Sequence, residues 1–164
     1  MMSSKRNVEV HKELTKFSEF LKKKNLKITN QRLLVAEKIF HIDTHFTVEE
    51  LTEQLKDKRD EISRATIYRT VSLLVESGQL IEHDFGQNSK YYEFTNTKEH
   101  HDHIVCLDCG HIEEFTNKYI EIVQLEIAEK LNYELKDHSL ILYGKCNILK
   151  EKGSCPKFKK TDKK

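Results

Sequence analysis

Residues 99–115 combine the side-chain types that most often bind metal ions in proteins. The segment reads Glu-His-His-Asp-His-Ile-Val-Cys-Leu-Asp-Cys-Gly-His-Ile-Glu-Glu-Phe and contains four histidines, five carboxylates and a Cys-x-x-Cys pair. Imidazole and carboxylate donors suit exchangeable iron, manganese or zinc, whereas four thiolates form a closed structural zinc site. The segment therefore predicts at least two metal sites of different chemistry, which is what a metal sensor needs.

Residues 100–103 are all possible metal ligands, and their alternation along a strand predicts two separate donor pairs. On a strand, His101 and His103 point to one face, and His100 and Asp102 point to the other. A metallohydrolase remains an alternative, because a site of this composition can also activate water. The isolated histidines elsewhere are interpreted as ordinary surface residues: His11, His41 and His83.

The chain has four cysteines, and their surroundings favour structural zinc over redox chemistry. Cys106 and Cys109 lie between two predicted strands and are followed by Gly110, as in a zinc knuckle. A thioredoxin-type redox pair would instead lie at a helix N-terminus after a strand. Cys146 and Cys155 complete a four-thiolate set, although a long loop is predicted between them.

Length and composition indicate one medium domain or two small ones. The chain has 164 residues, 37% hydrophobic and 34% charged. It contains no apolar run of about 18 residues that would predict a transmembrane helix. Its first residues lack the apolar stretch of a secretory signal. We therefore expect a cytoplasmic protein.

The charge distribution indicates a basic N-terminal region. The formal net charge is only +1, but residues 1–32 contain nine basic residues and three acidic ones. A basic region beside a carboxylate-rich centre fits a protein with one nucleic-acid face and one metal face. An ordinary solvated helix face remains the alternative interpretation.

The N-terminal half is predicted to be helical and to end in a hairpin. Leu14, Phe17 and Leu21 form an apolar stripe on a first helix. Helix starts follow at Thr29 or Asn30, at the capping box of residues 47–50, and at Ser63. Extended runs at 79–85 and 90–95 then predict a β-hairpin. The last three helices and this hairpin make a winged helix-turn-helix.

The helix that begins after Ser63 has the side chains of a DNA recognition helix. Arginine can read guanine edges, while threonine and tyrosine contact phosphates and thymine methyl groups. An ordinary amphipathic surface helix is the alternative for this segment alone. The candidate DNA-contacting residues are Arg64, Thr66, Tyr68, Arg69 and Thr70.

The C-terminal half is predicted to contain short strands and one helix. Strands at 104–107 and 111–115 flank the Cys-x-x-Cys turn, and a further strand covers 138–143. Asn117 caps a helix that runs to about Leu131 and is apolar on more than one face, which suggests a dimer interface. The predicted fold is α+β, with a DNA-binding domain at 1–95, a hinge at 96–98 and a metal-binding domain at 99–164.

Five segments resemble the ferric uptake regulator family of metal-dependent repressors, and together they span nearly the whole chain. The resemblance implies a homodimer with an N-terminal winged helix and a C-terminal α/β dimerisation domain with an antiparallel sheet. It leaves open whether dimers pair further, and it implies no membrane partner. The matching segments are residues 26–32, 65–71, 100–110, 112–115 and 138–146.

The resemblance also implies roles for individual residues. By this resemblance, the residues that match the family's regulatory metal site are His45, Glu93, His101, His103 and Glu114. Those that match a second metal site are His100, Asp102, Glu121 and His138. Those that match the structural zinc site are Cys106, Cys109, Cys146 and Cys155. The residues that resemble the family's DNA contacts are Lys27, Arg32, Tyr68 and Arg69.

The regulatory metal implied by the resemblance is Fe(II), with Mn(II), Zn(II) or Co(II) able to replace it in vitro. Peroxide-sensing members tend to have aspartate where this chain has Glu93 and Glu114, and zinc-uptake members usually place a cysteine in this site. We therefore expect an iron-responsive repressor that binds an A·T-rich double-stranded operator. A peroxide sensor that oxidises His45 or His101 is the alternative within the family.

Overall fold

The structure, a computed structural model, describes residues 2–87, 89–95, 100–153 and 155. The chain divides into two compact units, Met1–Thr97 and Lys98–Lys164. The predicted hinge at 96–98 lies outside the described residues. No helix in the described part of the chain has the length and apolar composition needed to span a membrane.

The N-terminal unit is a winged helix-turn-helix preceded by one long helix, so the predicted fold of this half is confirmed. β1 and β2 pair antiparallel and form the wing, with His83 opposite Tyr91. Both strands are shorter than the sequence predicted. The elements are α1 (Met2–Lys23), α2 (Asn30–Phe40), α3 (Val48–Gln54), a 3-10 turn (Lys56–Lys58), α4 (Arg64–Glu76), β1 (Leu80–His83) and β2 (Tyr91–Phe94).

Side-chain caps fix where α2, α3 and α4 begin. The Thr29 hydroxyl accepts a hydrogen bond from the backbone N–H of Arg32 at 3.3 Å. The residues at 47 and 50 form a complete capping box at the start of α3. The Ser63 hydroxyl accepts from the backbone N–H of Thr66 at 3.2 Å. Each cap satisfies a backbone donor that the first helical turn leaves without a partner, so the predicted helix starts are confirmed.

α1 joins the core of the N-terminal unit along the predicted apolar stripe. Phe17 and Leu21 are fully buried, while Leu14 packs against the core as a partly buried residue. The guanidinium of Arg6 donates to both carboxylate oxygens of Asp43, at 2.6 and 2.7 Å. This pair fastens the first turns of α1 to the residues after α2.

The described part of the C-terminal unit contains a three-stranded sheet and two helices. The strand order is β4-β3-β5, with β3 in the centre. β3 and β4 pair antiparallel around the Cys-x-x-Cys turn, with His103 opposite Glu114. The elements are β3 (Asp102–Cys106), β4 (Ile112–Phe115), α5 (Lys118–Lys130), β5 (Ile141–Gly144) and α6 (Asn147–Lys152).

Two features of this unit differ from the sequence-based expectation. The antiparallel prediction holds for β3 and β4, but β5 pairs parallel with β3, so the sheet is mixed. The connection through α5 carries the chain back to the starting edge, which is what a parallel pair requires. The stretch between Cys146 and Cys155 is not an extended loop, because residues 147–152 form α6. Gly153, at φ 66°, ends this helix in the left-handed conformation that glycine adopts most readily.

The described part of the C-terminal unit has little buried apolar surface of its own. Val105 is its one fully buried apolar side chain. No residue of α5 is buried, and Ile122, Leu125 and Ile127 are each at least half exposed. An amphipathic helix in a stable protein normally covers its apolar side, so this surface is the most conspicuous feature of the unit.

Candidate metal centres and nucleic-acid interface

Four donors of the C-terminal unit converge on one point: one on β3, one on α5, one just before β3 and one in the segment between α5 and β5. The Nε2 atoms of His100 and His138 are 2.6 Å apart, and each lies 3.5 Å from Oδ1 of Asp102. Oε1 of Glu121, on α5, lies 3.6 Å from Nε2 of His138. All four donor atoms lie within 4.8 Å of one another. The structure therefore brings together the whole predicted second site.

The buried carboxylate of Asp102 indicates that this cluster fits a metal cation. Asp102 is 1% exposed, and among the described residues neither of its side-chain oxygens has a hydrogen-bond partner. A buried carboxylate that accepts no hydrogen bond is costly, since burial strongly disfavours a charge. Two imidazoles and two carboxylates are also a donor set that iron, manganese and zinc accept. A divalent cation would both compensate Asp102 and separate the two close imidazole nitrogens.

The opposite face of β3 carries the predicted C-terminal part of the regulatory site. The rings of His101 and His103 have centroids 5.0 Å apart. Glu114 lies directly across from His103 in the antiparallel β3–β4 pair, so the two side chains project from the same face. The predicted alternation of donors along residues 100–103 is therefore borne out by the geometry of this unit.

The N-terminal unit carries its own group of nitrogen and oxygen donors, centred on Glu93. Nε2 of His45 lies 3.3 Å from Oε2 of Glu93, and Nε2 of His83 lies 3.2 Å from the same oxygen. Exposed side-chain fractions are 7% for His45, 14% for His83 and 5% for Glu93. These three groups form a largely buried polar cluster.

The backbone of the wing explains why these side chains meet. Phe46 pairs with Tyr92 through two backbone hydrogen bonds of 3.0 and 2.8 Å, which adds the segment before α3 to the edge of β2. That bridge brings His45 beside Glu93. In the β1–β2 register Glu93 faces Ile81, so His83 is its diagonal neighbour on the same face.

His83 was wrongly interpreted as an ordinary surface histidine. Its ring stacks on the buried ring of Phe85, with centroids 5.2 Å apart and an interplanar angle of 7°. The signal that could have identified it is the strand register. Once the hairpin is aligned, His83 and Glu93 must share a face, but the turn residues alone do not fix that alignment.

The four cysteines lie together as a zinc site requires. Sγ of Cys155 lies 3.8 Å from Sγ of Cys109 and 3.7 Å from Sγ of Cys146. In a tetrahedral site with zinc–sulfur bonds of about 2.3 Å, neighbouring sulfurs are about 3.8 Å apart. None of the four cysteines forms a disulfide bond. The two separations fit neighbouring thiolate ligands of one zinc ion, and both involve Cys155.

Local backbone structure holds each cysteine pair. The N–H of Gly110 donates to the carbonyl of Cys106 at 2.8 Å, and Gly110 takes a positive φ of 72° that closes the knuckle. Cys146 caps α6, with its sulfur accepting from the N–H of Leu149 at 3.4 Å. The Cys146 N–H donates to the carboxylate of Asp108 at 2.7 Å, which joins the two cysteine loops.

The thiols of this cluster differ in acidity. Burial raises the pKa of Cys109 to about 11. Burial would also raise the pKa of Cys106, but hydrogen bonds from the backbone at Cys109 and Asp108 outweigh it and lower that pKa. Zinc binds thiolates, so it must displace protons from the least acidic member of the set.

α4 presents most of the predicted DNA-contacting side chains to solvent. Arg64, Tyr68 and Arg69 are exposed, and Thr66 is half-buried. The Tyr68 hydroxyl donates to the carboxylate of Glu49 on α3 at 2.8 Å, and this bond raises the pKa of Tyr68. Thr70 was wrongly included among the candidate DNA-contacting residues. It is fully buried, and its hydroxyl bonds to the carbonyl of Thr66 at 2.7 Å.

Lys27 lies in the turn between α1 and α2, and Arg32 lies at the start of α2. Lys27 is exposed, whereas Arg32 is half-buried and its guanidinium donates to the carbonyl of Lys27. Arg32 therefore holds the shape of this turn, and Lys27 is the side chain of the two that is more open to a nucleic-acid phosphate.

Comparison with known proteins identifies the family. The profile of the Ferric uptake regulator family matches residues 23–143. The chain belongs to the ferric uptake regulator family. The ferric uptake regulation protein of Campylobacter jejuni is 39% identical over 142 residues, which cover 85% of this chain and 90% of that protein.

Two solved ferric uptake regulators have the same fold. The Helicobacter pylori protein, described as having three functional metal-binding sites, aligns with a TM-score of 0.80 at 30% identity. That alignment covers 88% of this chain and 96% of the other. The Vibrio cholerae protein aligns with a TM-score of 0.66 at 42% identity, over 77% of this chain and 96% of that one.

Membership of the ferric uptake regulator family decides the class of function. The chain is a DNA-binding transcription regulator related to metal-responsive proteins, and it is not an enzyme. The metallohydrolase alternative is therefore wrong. The donor clusters resembled a hydrolytic site only because regulators and hydrolases use the same imidazole and carboxylate ligands.

Proposed function

We propose that this protein is a transcriptional repressor that responds to Fe(II) and binds an A·T-rich operator as a homodimer. In iron excess, Fe(II) occupies a regulatory site formed by His45, Glu93, His101, His103 and Glu114. The metal-bound protein then binds the operator and blocks transcription of iron-uptake genes. Mn(II), Co(II) or Zn(II) can replace Fe(II) in vitro, since they accept the same donors.

The observation that carries this proposal is that each unit holds an incomplete set of donors. In the N-terminal unit, His45 and Glu93 are 3.3 Å apart. In the C-terminal unit, the rings of His101 and His103 are 5.0 Å apart. Two donors fill only two of the coordination positions of an octahedral metal ion, so most positions stay open to other ligands. An ion that binds both pairs restricts the motion of one unit relative to the other.

This restriction is how metal occupancy changes DNA affinity. Without metal, the winged helices sample arrangements that do not fit two adjacent major grooves, and DNA binding must bear the cost of ordering them. A bound metal ion already holds the winged helices in the arrangement that fits DNA. The affinity for DNA therefore rises by the factor by which the ion favours that arrangement over the others. We expect the domains to span residues 1–95 and 99–164, with the hinge at 96–98.

The other two clusters are proposed to have structural and auxiliary roles. Zn(II) on Cys106, Cys109, Cys146 and Cys155 stabilises the C-terminal unit, and the sulfur separations of 3.7 and 3.8 Å support this assignment. The second site, His100, Asp102, Glu121 and His138, binds a further divalent ion. Its support is the buried carboxylate of Asp102.

We propose that α4 reads the major groove through Arg64, Thr66, Tyr68 and Arg69. Lys27 and Arg32 contact the DNA backbone, with Lys27 near the minor groove. Exposure of Arg64, Tyr68, Arg69 and Lys27 supports these roles. Because the activity requires DNA, we expect the protein to act in the cytoplasm.

A second copy of the chain is proposed to cover the apolar surface of α5. Ile122, Val123, Leu125 and Ile127 are 50–58% exposed, and adjacent exposed apolar residues extend this surface. Burying this surface against its counterpart gives a two-fold symmetric dimer, the commonest form of soluble oligomer. Whether dimers then pair on DNA depends on operator spacing.

The test is operator binding measured across a series of metals. A duplex selected from a random library is titrated with zinc-containing protein under anaerobic conditions, at controlled free Fe(II), Mn(II), Co(II) or Zn(II), and fluorescence anisotropy reports binding. We expect Fe(II) to increase affinity for the selected duplex far more than for random DNA. Equal affinity with and without every metal would contradict the proposal.

The same experiment separates iron sensing from peroxide sensing. After Fe(II) has promoted binding, a low concentration of hydrogen peroxide is added and intact mass is measured. An iron sensor keeps its operator bound and its mass unchanged. Loss of binding together with oxygen addition to His45 or His101 would favour the peroxide-sensing alternative.

A further inference from the structure

The wing contains a histidine that the regulatory site, as assigned, does not use. His83 Nε2 lies within hydrogen-bond distance of Glu93 Oε2, at 3.2 Å. An ionised carboxylate can only accept hydrogen bonds, so the imidazole nitrogen that faces it carries the hydrogen. His83 therefore donates to the carboxylate that is proposed to bind the regulatory metal.

The ring of His83 is held in the orientation that this hydrogen bond needs. It stacks nearly parallel on Phe85, with an interplanar angle of 7°. Phe85 is 1% exposed and also contacts the ring of His45 edge-on, with centroids 5.5 Å apart. One buried aromatic ring thus orients both imidazoles that approach Glu93.

These contacts give Glu93 a fixed orientation before any ion arrives. A carboxylate on a glutamate has three rotatable bonds, and each must be ordered when the group binds a metal. A donor on one side limits the rotamers of the carboxylate, so less ordering remains to be done when an ion binds. Partners of this kind around metal ligands typically change metal affinity by about 10–100-fold.

We propose that His83 is a positioning residue of the regulatory site, which acts by donating its Nε2 hydrogen to Glu93. This inference rests on the proposed function, because it assumes that Glu93 binds the regulatory ion. His83 sets the free metal concentration at which the protein begins to bind DNA. Its role requires an N–H donor at this position and does not require coordination by the imidazole.

The test compares variants that separate the donor from the shape of the side chain. His83→Phe keeps an aromatic ring against Phe85 but has no donor. His83→Gln has an amide N–H donor without the ring, and His83→Met has a length similar to glutamine without the donor. An exposed histidine of α1 supplies the control, His11→Gln.

Each full-length variant is loaded with zinc and titrated with Mn(II), an air-stable probe of the regulatory site. Two quantities are measured: the free Mn(II) concentration that gives half-maximal operator binding, and the thermal midpoint of the protein without added manganese. We expect His83→Phe and His83→Met to raise the half-maximal concentration by about 10–100-fold. His83→Gln and His11→Gln should stay near the wild type, and the midpoints of the variants should agree.

Two results would overturn the proposal. If His83→Phe and His83→Met both keep the wild-type response, the hydrogen bond has no role in metal binding. If His83→Gln loses as much as His83→Phe, the imidazole itself is needed and His83 is a ligand. Should His83→Phe not fold, the glutamine and methionine pair still decides the question.

The proposed function is tested separately by His101→Ala in the same titration. A wild-type response of His101→Ala would show that the regulatory site is wrongly assigned, whatever the His83 variants do. Loss of response in His101→Ala together with no effect at His83 would leave the regulatory site intact and remove only the positioning role.

Discussion

The two units of this protein are stabilised in different ways. Among the described residues, those of the hydrophobic core cluster all belong to the N-terminal unit, from Val10 to Tyr92, and many of them have no exposed surface. In the described part of the C-terminal unit, Val105 alone is a fully buried apolar residue, and no residue of α5 is buried. The N-terminal unit resembles an ordinary small domain, and the C-terminal unit does not.

From this difference we infer that bound metal takes the place of a larger apolar core in the C-terminal unit. Small domains with little buried apolar surface usually need a metal, disulfides or oligomerisation to fold. The C-terminal unit has the donors for a zinc ion and an apolar helix face suited to a partner. The proposed zinc site would therefore make the folding of this unit, which supplies three of the five proposed regulatory ligands, dependent on metal.

The largest effect is expected from a change in the proposed zinc site of the C-terminal unit. Cys106→Ser should unfold the C-terminal unit and release zinc, because a structural site contributes on the order of 10 kcal/mol of apparent folding energy. The N-terminal unit should keep its helices, since its core is separate. Zinc content and circular dichroism at increasing temperature provide the measurements.

Lys145→Ser is the matched control, because Lys145 is exposed and adjoins Cys146. It should retain zinc and the wild-type midpoint. If the Cys106→Ser protein retains one zinc per subunit and normal thermal stability, the four-cysteine cluster has no structural role.

The converse change weakens the apolar core of the N-terminal unit. Leu74 is fully buried in α4, so Leu74→Ala should cost about 2–5 kcal/mol through lost burial and a cavity. Zinc content should not change. Chemical denaturation followed by tyrosine fluorescence and circular dichroism measures the loss. Leu107→Ala, at a position 61% exposed in the C-terminal unit, is the control and should change stability by less than about 0.5 kcal/mol.

The apolar face of α5 gives an intermediate effect. Ile127 is 51% exposed in the single chain, and Ile127→Glu would bury a charge in the proposed dimer. We expect a loss of about 2 kcal/mol of association free energy, roughly thirtyfold in the dimer dissociation constant. Sedimentation velocity over a concentration series checks this. Glu126→Gln, at an exposed neighbouring position, should leave the dimer intact, and an unchanged dimer for Ile127→Glu would locate the interface elsewhere.

The smallest effect comes from a matched pair of helix caps, one in each unit. Ser63 accepts from a backbone N–H at 3.2 Å, and Asn117 accepts from the N–H of Tyr119 at 2.9 Å. Each change to alanine should cost about 1 kcal/mol. Ser63→Ala should lower stability equally with and without zinc, whereas Asn117→Ala should be visible only with zinc. Equal zinc dependence of both variants would mean that the units do not fold independently.

Local sequence signals predicted where most helices and turns lie. They could not predict features that depend on pairing between distant segments. The caps at Thr29, Ser63 and Asn117 are encoded within three residues of each helix start, so they are readable from sequence. The same holds for the Cys-x-x-Cys turn. By contrast, the parallel pairing of β5 with β3 depends on how α5 returns the chain.

The candidate sites show the same limit. The donors at 100–103 were predicted because alternation along one strand is local. The role of His83 was missed because it depends on the register between two strands and on the packing of Phe85. The helix between Cys146 and Cys155 was missed because a cysteine is an unusual N-cap.

The measurement that tests the central claim most directly is metal-dependent operator binding by His101→Ala. His101 belongs to the proposed regulatory site but not to the four-cysteine cluster or the second site. The variant should remain a zinc-containing dimer by sedimentation and metal analysis, and Fe(II) should no longer increase its affinity for the operator. If His101→Ala binds the operator with the wild-type response to Fe(II), the regulatory assignment is wrong, and the His100 and Asp102 cluster becomes the site to test.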